Sequence, residues 1–355
     1  MNFKKRILVA PLNWGLGHAT RCIPIIEALM VEQFEPIIAC DGASLSLLKR
    51  EFPSLSFIEL PSYNITYSKY GFLLQWHLFK SIPRLIKTIK EENKQIQTII
   101  KTYHIDGIIS DNRFGVYSKN KKVPSVYITH QLTVLSGITS WLSSKAHQQI
   151  IKKHQECWIP DFENTPNLSG KLGHLKVHPF NLKYVGPLSR FNKSESHLTY
   201  DIMVLLSGPE PQRSLLEEKL FLELKRHKGN VLMVKGLVEP VQTKEQNHNI
   251  TVCNFMTSDE LEEQIQNSKK IISRSGYTTI MDLAKLEKHA FFIPTPGQPE
   301  QQYLAKRLSR LKMAPYCQQS DFSLNKLAKL DKYRGLSSFK NKTDFKTLFR
   351  LFKGE

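Results

Sequence analysis

His18 lies in the run NWGLGHATRCIPIIEAL, behind a glycine-containing turn and at the start of a helical pattern. An imidazole titrates near neutrality, so it can accept a proton from a hydroxyl at physiological pH. Gly15 and Gly17 are permissive where backbone must approach a ligand closely. The stretch therefore reads as the mouth of a site with His18 as candidate general base; a polar residue satisfying a helix start is the plainer alternative. A second turn, IISRSGYTTIMDLAKL, ends a strand at Ser273, passes Gly276 and begins a helix near Thr278. Unpaired N–H groups and the helix dipole there suit a phosphate, although ordinary helix caps use the same residues.

The elements around these turns decide how they can meet. The apolar runs RILVAPL, EPIIACD, SFIEL, DGIISD and PSVYITH alternate with helical patterns at 18–30, 43–52 and 72–102; ECWIP and KYVGP follow. Strands separated by helix-length segments predict a parallel sheet with right-handed crossovers. RFNKSESHLTY is polar and aperiodic, and the alternation then restarts with YDIMVLLSG, NVLMVKG, ITVCNF, KKIISRSG and HAFFIPTPG. The expected organisation is an N-terminal domain over 1–190, a linker at 191–200 and a second α/β domain over 201–335. A C-terminal helix within 336–355 follows, with a return to the first domain as one option. A chain of 355 residues also exceeds the roughly 250–300 residues of a single hydrophobic core.

In open parallel sheets, ligands gather beyond the carboxyl ends of the strands, at switch points. That rule selects Asn13 to His18, Asp111, Asn112, Arg113, His130 and Gln131 in the first domain, with Asp111 equally readable as a turn residue. In the second domain it selects Ser207, Gly208, Ser273 to Gly276 and Thr295 to Gln302. Two such loop sets facing each other make one composite site.

Lys plus Arg total 50 against 32 for Asp plus Glu, a formal charge of +18. The excess favours anionic partners: nucleotides, nucleic acid or an acidic membrane surface. The five cysteines form no CxxC pair, and an odd count suits a reducing compartment. The apolar N-terminal run is too short for a signal peptide, and no run of about 18 apolar residues predicts a membrane span. A cytoplasmic protein is expected. His174 and His178 have helical spacing inside the glycine-containing SGKLGHLKVH, which does not read as a helix, so no metal site is expected. Phe72, Trp76, Phe79, Ile82, Ile86 and Ile89 also recur at helical spacing, interleaved with Lys80, Arg84, Lys87 and Lys90. Core packing is the expectation for most of that stripe, with part available to an anionic interface.

SRSGYTTIMDLA, followed by FFIPTPGQPEQQYLAKRL, resembles the nucleotide-sugar half of the family 28 glycosyltransferases. GLGHATRCIPIIEAL is similar to that family's glycine-rich turn and histidine. The resemblance spans both domains in the same order, and its C-terminal motif is the more specific. It implies an α/β fold of the GT-B kind, two facing Rossmann-like domains with parallel sheets, in agreement with the independent strand count. It implies that Asp282 binds the ribose hydroxyls, that Gln301 and Gln302 hold the donor sugar, and that main chain at Met256 recognises uracil. Arg190 then lies near the diphosphate, and His18 is the base. Gly17, Ser207, Gly208, Arg274, Ser275, Gly276, Tyr277 and Thr278 complete the expected donor-binding set. Asn13, Asp111, Arg113, His130 and Gln131 make the acceptor side.

The chain also departs from the family pattern. Asp282 replaces a glutamate, Ala305 stands where an asparagine is expected, and LLSGPEPQR replaces a glycine-rich turn. The first turn keeps two of its usual glycines. These differences point to a relative with a different acceptor. The activity implied is inverting, metal-independent transfer of a hexose or N-acetylhexosamine from a UDP-sugar to an acceptor hydroxyl. The acceptor is an unknown carbohydrate or a lipid-linked molecule, with attachment at the inner face of a membrane as a corollary. No cofactor is expected beyond the UDP-sugar substrate, and no nucleic acid. One rival is a UDP-N-acetylglucosamine 2-epimerase-like isomerase, which needs more acids and bases around the sugar than the first domain offers. The other is a nucleic-acid-binding protein, suggested by charge alone and lacking a recognised module.

Overall fold

The computed structural model describes residues 4–354 apart from 64–73, 178, 196, 238 and 337–342; of residues 74–82 and 138 it describes backbone alone. The chain divides into two compact units. One is Met1–Thr66, Gln75–Leu188 and Asn341–Glu355; the other is Tyr67–Leu74 and Ser189–Lys340.

The first unit is built on β1 (Arg6–Pro11), β2 (Glu35–Cys40), β3 (Ser56–Glu59), β4 (Ile105–Asp111), β5 (Ser125–Ile128), β6 (Glu156–Ile159) and β7 (Leu182–Tyr184). All pair in parallel, in the order β3-β2-β1-β4-β5-β6-β7. Its helices are α1 (Gly17–Val31), α2 (Gly42–Glu51), α3 (Leu74–Thr102) and α4 (Ser140–Ile151), the last not anticipated from sequence. A strand covered on both faces needs apolar side chains at every position, and β1 shows why the run RILVAPL is unbroken. Ile7 and Val9 pack with Ile23, Ile26 and Leu48 of α1 and α2. Leu8 and Ala10, pointing the other way, pack with Ile96 and Ile99 of α3. The strand order reverses between β1 and β4, so the ends of those two strands flank the switch point.

The second unit contains β8 (Tyr200–Leu205), β9 (Val231–Val234), β10 (Lys244–Asn247), β11 (Ile250–Cys253), β12 (Ser268–Ser273) and β13 (Ala290–Phe292), with α5 (Gln212–Leu224), α6 (Ser258–Gln266), α7 (Tyr277–Lys285) and α8 (Pro299–Arg310). The sheet order is β10-β11-β9-β8-β12-β13. Its switch point lies between β8 and β12. β10 escapes the sequence reading because KEQN is polar and exposed throughout. It joins β11 as an antiparallel edge strand across a tight turn in which His248 adopts φ 53°, and charged residues are what an exposed edge tolerates.

The stretch expected as a free linker is laid along the second unit. The Asn192 and Ser194 amides donate to Glu262 and Gln266 of α6 at 2.8 and 2.6 Å, and the His197 amide donates to Asn267 Oδ1 at 3.0 Å. The chain's last turns, α9 (Phe345–Leu348) and α10 (Arg350–Lys353), belong to the first unit. Phe349 and Phe352 meet Phe34 edge-on at centroid distances of 5.8 and 6.4 Å and also contact Trp158. Gly107 in β4 makes room for them, since a Cβ there would stand 2.4 Å from the Phe352 ring.

Candidate active site

His18 is the second residue of α1, where a turn leaving β1 becomes helix. Gly15 holds φ 80° in that turn, a left-handed conformation that glycine adopts without a Cβ penalty. Asp111, the last residue of β4, pairs in register with Pro11 at the end of β1, which brings the carboxylate to the imidazole. His18 Nδ1 lies 2.8 Å from Asp111 Oδ1, with side-chain exposures of 14% and 0%. Arg21, one helical turn after His18 and therefore on the same face, grips both oxygens of Asp111 through Nε and Nη2. Its Nη2 is 2.9 Å from His18 Nδ1, and its Nη1 is 3.2 Å from His130 Nδ1, beyond β5.

The electrostatics follow from burial and this one cation. Burial alone would raise the Asp111 pKa, but Arg21 and then His18 outweigh it and hold the carboxyl at about 2. His18 moves below its ordinary value, first through burial and then through Arg21, with Asp111 opposing. At neutral pH the result is an ionised carboxylate beside an uncharged imidazole. Gln131 adjoins His130; its carbonyl accepts from His147 Nδ1 at 2.9 Å, fixing the backbone there. Burial drops His147 to about 4, so it serves as a neutral strut.

Arg113 requires a correction. It follows β4 as expected, but its side chain turns away from the acceptor side into a buried network and is 0% exposed. Nε meets Glu92 Oε1 at 2.5 Å, Nη1 meets Asp41 Oδ1 at 2.6 Å, and Nη2 donates to the Pro61 carbonyl at 2.5 Å. Asn112, with φ 55°, supplies the backbone reversal that redirects it. Asn13 is likewise tied internally. Its amide donates to Asp41 at 3.3 Å, and its oxygen accepts from the Ser44 amide and hydroxyl, both at 3.3 Å. Both side chains brace loops. Gly17, expected on the donor side, opens α1 in the first unit.

In the second unit, Ser207 and Gly208 follow β8, and Arg274 to Gly276 follow β12, so the two turns flank its switch point. Gly276 caps α7 with no side-chain cap bond, leaving the helix start to Tyr277, which is buried, and to Thr278, which is half-buried. Arg274 is fully buried, yet its guanidinium meets carbonyls: Gln212 at 2.7 Å, Ile293 at 3.2 Å and Pro294 at 3.3 Å. Burial without a carboxylate partner lowers its pKa to about 9. Its expected direct contact with a donor is corrected accordingly: its tips join three loops, and its charge makes the turn electropositive.

Asp282 on α7 accepts from Ser189 Oγ at 2.7 Å and is pushed up to about 6 by burial, with Arg190 pulling the other way. Arg190 itself donates to Ser258 Oγ at 2.8 Å and lies over the Phe191 ring. Met256 is half-buried in the turn before α6. Asn254 builds that turn by accepting from Thr243 and Phe255 and donating to Glu239 and Val241. The two glutamines differ. Gln301 spans the loop before α8, accepting from the Thr295 amide at 2.9 Å and donating to Gln298 Oε1 at 2.7 Å. Gln302 is half-buried; its backbone amide donates to the Gln298 carbonyl at 3.1 Å, while its side-chain amide makes no hydrogen bond to the described residues.

Sequence reasoning missed Arg21, Glu92 and Asn254. For Arg21 a signal existed, a cation one helical turn from the candidate base. Among the described residues no group of three or more His, Cys, Asp or Glu is arranged to hold a metal ion. No helix among them is long and apolar enough to cross a membrane.

Comparison with known proteins bears on this arrangement. Residues 212–342 match the glycosyltransferase family 28 C-terminal domain. The chain is 24% identical over 264 residues to the UDP-N-acetylglucosamine--N-acetylmuramyl-(pentapeptide) pyrophosphoryl-undecaprenol N-acetylglucosamine transferase of Haemophilus ducreyi, covering 70% of each chain. It is 23% identical over 334 residues to the Haemophilus influenzae protein of the same name, covering 90% of this chain and 87% of the relative. Among solved structures, SnogD from Streptomyces nogalater superposes with a TM-score of 0.62 at 12% identity, covering 99% of both chains. MurG from Acinetobacter baumannii superposes with a TM-score of 0.56 at 13% identity, covering 99% of this chain and 100% of that one. The chain thus has the GT-B fold and is similar to the family 28 glycosyltransferases, residues 212–342 matching that family's C-terminal domain.

Proposed function

We propose that this glycosyltransferase moves a hexose or N-acetylhexosamine from a UDP-sugar to an acceptor hydroxyl with inversion, His18 taking the acceptor's proton. One observation carries the reading: the 2.8 Å contact between His18 Nδ1 and the buried, ionised Asp111. A carboxylate accepts the Nδ1 proton, which leaves a lone pair on Nε2 and stabilises the imidazolium formed during transfer. The acceptor oxygen then bonds to the anomeric carbon, the bond to the UDP oxygen breaks, and UDP leaves with the electron pair. For donor binding, support comes from the position of the α7 N-terminus just beyond β12 at the switch point and from Arg274, buried without a carboxylate. Both favour a diphosphate. The relatives' name supports a UDP-sugar donor and a polyprenyl-linked acceptor.

An acceptor of that kind implies work at an anionic membrane face. On α3, Ile86 is 48% exposed and stands among exposed Arg84, Lys87 and Lys90. The earlier part of the apolar stripe, Phe72 and the side chains of Trp76, Phe79 and Ile82, lies outside what the structure describes. The test is a screen of UDP-sugars for binding and for acceptor-dependent UDP release by the whole chain. Release that needs an acceptor and vanishes in His18→Ala supports the proposal. Conversion of a UDP-sugar without acceptor would instead identify an isomerase.

A further inference from the structure

Arg21 approaches both histidines of the first unit, and a guanidinium has donors but no acceptor. Its Nη1 lies 3.2 Å from His130 Nδ1. Facing a pure donor, that ring nitrogen holds a lone pair, so the ring proton sits on Nε2. At His18 the logic reverses. Nδ1 lies 2.8 Å from Asp111 Oδ1 and 2.9 Å from Arg21 Nη2. A lone pair on Nδ1 would confront a fully buried carboxylate oxygen, whereas a proton there donates to it. The 2.9 Å separation from Nη2 is then that of two donors converging on one oxygen. His18 keeps its lone pair on Nε2.

We propose that Arg21 is a positioning residue that, with Asp111, holds His18 and His130 in opposite tautomers, His18 with its lone pair on Nε2 and His130 with its proton there. One buried ion pair thus sets both rings. That the His18 lone pair serves as the base rests on the proposed function; the tautomers themselves do not. The geometry also explains why Arg21 is not interchangeable with lysine. Nε and Nη2 are committed to Asp111 while Nη1 reaches His130, and an ammonium has one nitrogen for both tasks.

The experiment is nitrogen-15 spectroscopy of the histidines in the uniformly labelled full chain near pH 7.5, with signals assigned from His18→Ala and His130→Ala. The expected pattern is a protonated Nδ1 with bare Nε2 for His18 and the reverse for His130. A His130 proton on Nδ1, or one tautomer shared by both rings, overturns the proposal. In Arg21→Lys the charge beside Asp111 is kept, so His18 should retain its tautomer while His130 becomes a mixture. An unchanged His130 in a folded Arg21→Lys chain also overturns it. Should that variant not fold, the pattern of the unsubstituted protein decides. These spectra need no substrate, so failure of the base reading in turnover assays and failure of the tautomer assignment are separate results.

Discussion

Arg21 and Asp111, 90 positions apart in sequence, form a two-pronged ion pair whose side chains are 1% and 0% exposed. Breaking such a pair from one side strands a buried charge, at a cost of about 3–5 kcal/mol, while replacing both partners costs much less. Arg21→Met and Asp111→Asn should therefore each destabilise the first unit strongly, and the double substitution should cost less than their sum. All four tryptophans, Trp14, Trp76, Trp141 and Trp158, belong to that unit, so their fluorescence in a denaturant titration reports it separately. Additive losses would mean that the pair is not coupled. Acid should act in the same sense. The folded pKa of Asp111, about 2, lies below its ordinary 3.8, so its contribution is present above pH 3.8 and fades as pH falls toward 2.

His18 and His130 should separate in kinetics. If His18 is the base, His18→Ala should cut turnover by about 10²–10⁴-fold with UDP affinity unchanged. His130→Ala should mainly raise the acceptor concentration needed for half-saturation. Because burial and Arg21 lower the His18 pKa, the acid limb of the rate profile should fall below the ordinary histidine value of about 6.5. Near-normal turnover by His18→Ala at saturating acceptor would rule out the base assignment.

The contact between Gly107 and Phe352 predicts a coupling across the whole length of the chain. Gly107→Ala places a methyl 2.4 Å from the Phe352 ring and 2.9 Å from Ile7 Cδ1. Overpacking of this kind costs about 1–3 kcal/mol, and Phe352→Ala about 3–5 kcal/mol. In the double variant the alanine methyl enters space that the ring has left, so the combined loss should fall short of the sum. Tryptophan-monitored unfolding of the four proteins measures this, and strict additivity would place Phe352 elsewhere.

What was legible in the sequence was whatever local pattern encodes. Runs such as RILVAPL and DGIISD are continuous because parallel strands are covered on both faces, and every strand proposed from such a run is present. β10 left no trace, since KEQN has neither alternation nor apolar residues and exists by pairing with β11. The strand-end rule selected His18, Asp111 and His130, which the structure brings together around Arg21, because switch-point position depends on topology. It could not foresee side-chain direction. Arg113 stands two residues after Asp111, yet the left-handed Asn112 between them sends its guanidinium toward Glu92 and Asp41. Arg21 went unread for a related reason: it lies on the buried face of α1, where the pattern calls for apolar residues, and its partner is too distant to show in any local period.

Gln301 and Gln302 should behave differently, although they are adjacent. Gln301 secures the Thr295–Gln298 loop, so Gln301→Ala should weaken binding of UDP and UDP-sugars alike by loosening the loop before α8. Gln302 has its side-chain amide available for a sugar hydroxyl, and Gln302→Ala should weaken the UDP-sugar while sparing UDP. Calorimetry with both ligands checks this. Parallel losses in Gln302→Ala would remove it from the sugar site.

If Asp282 binds the ribose, it connects stability to nucleotide binding with opposite signs. Its carboxyl is pushed from 3.8 to about 6 by burial, against the pull of Arg190 and the Ser189 hydroxyl. A folded pKa above the unfolded one means that the fold disfavours the ionised form. The second unit should therefore lose stability as pH rises from about 4 to 6. Asp282→Asn keeps an acceptor for Ser189 and removes the buried charge, so the variant should melt at a higher temperature at pH 7.5, with the gain absent near pH 4. If Asp282 binds the ribose, that gain comes with weaker binding. A carboxylate accepts both ribose hydroxyls, while an amide presents one acceptor and two donors. The unsubstituted chain should prefer UDP to its 2′-deoxy analogue, and Asp282→Asn should narrow the difference. As pH falls through 6, UDP affinity should drop more in the unsubstituted chain than in the variant, a comparison that cancels titration of the phosphate itself. Equal affinity of the unsubstituted chain for UDP and the deoxy analogue would exclude the ribose role, while a lower melting temperature for Asp282→Asn would show that Arg190 depends on the carboxylate more than burial opposes it.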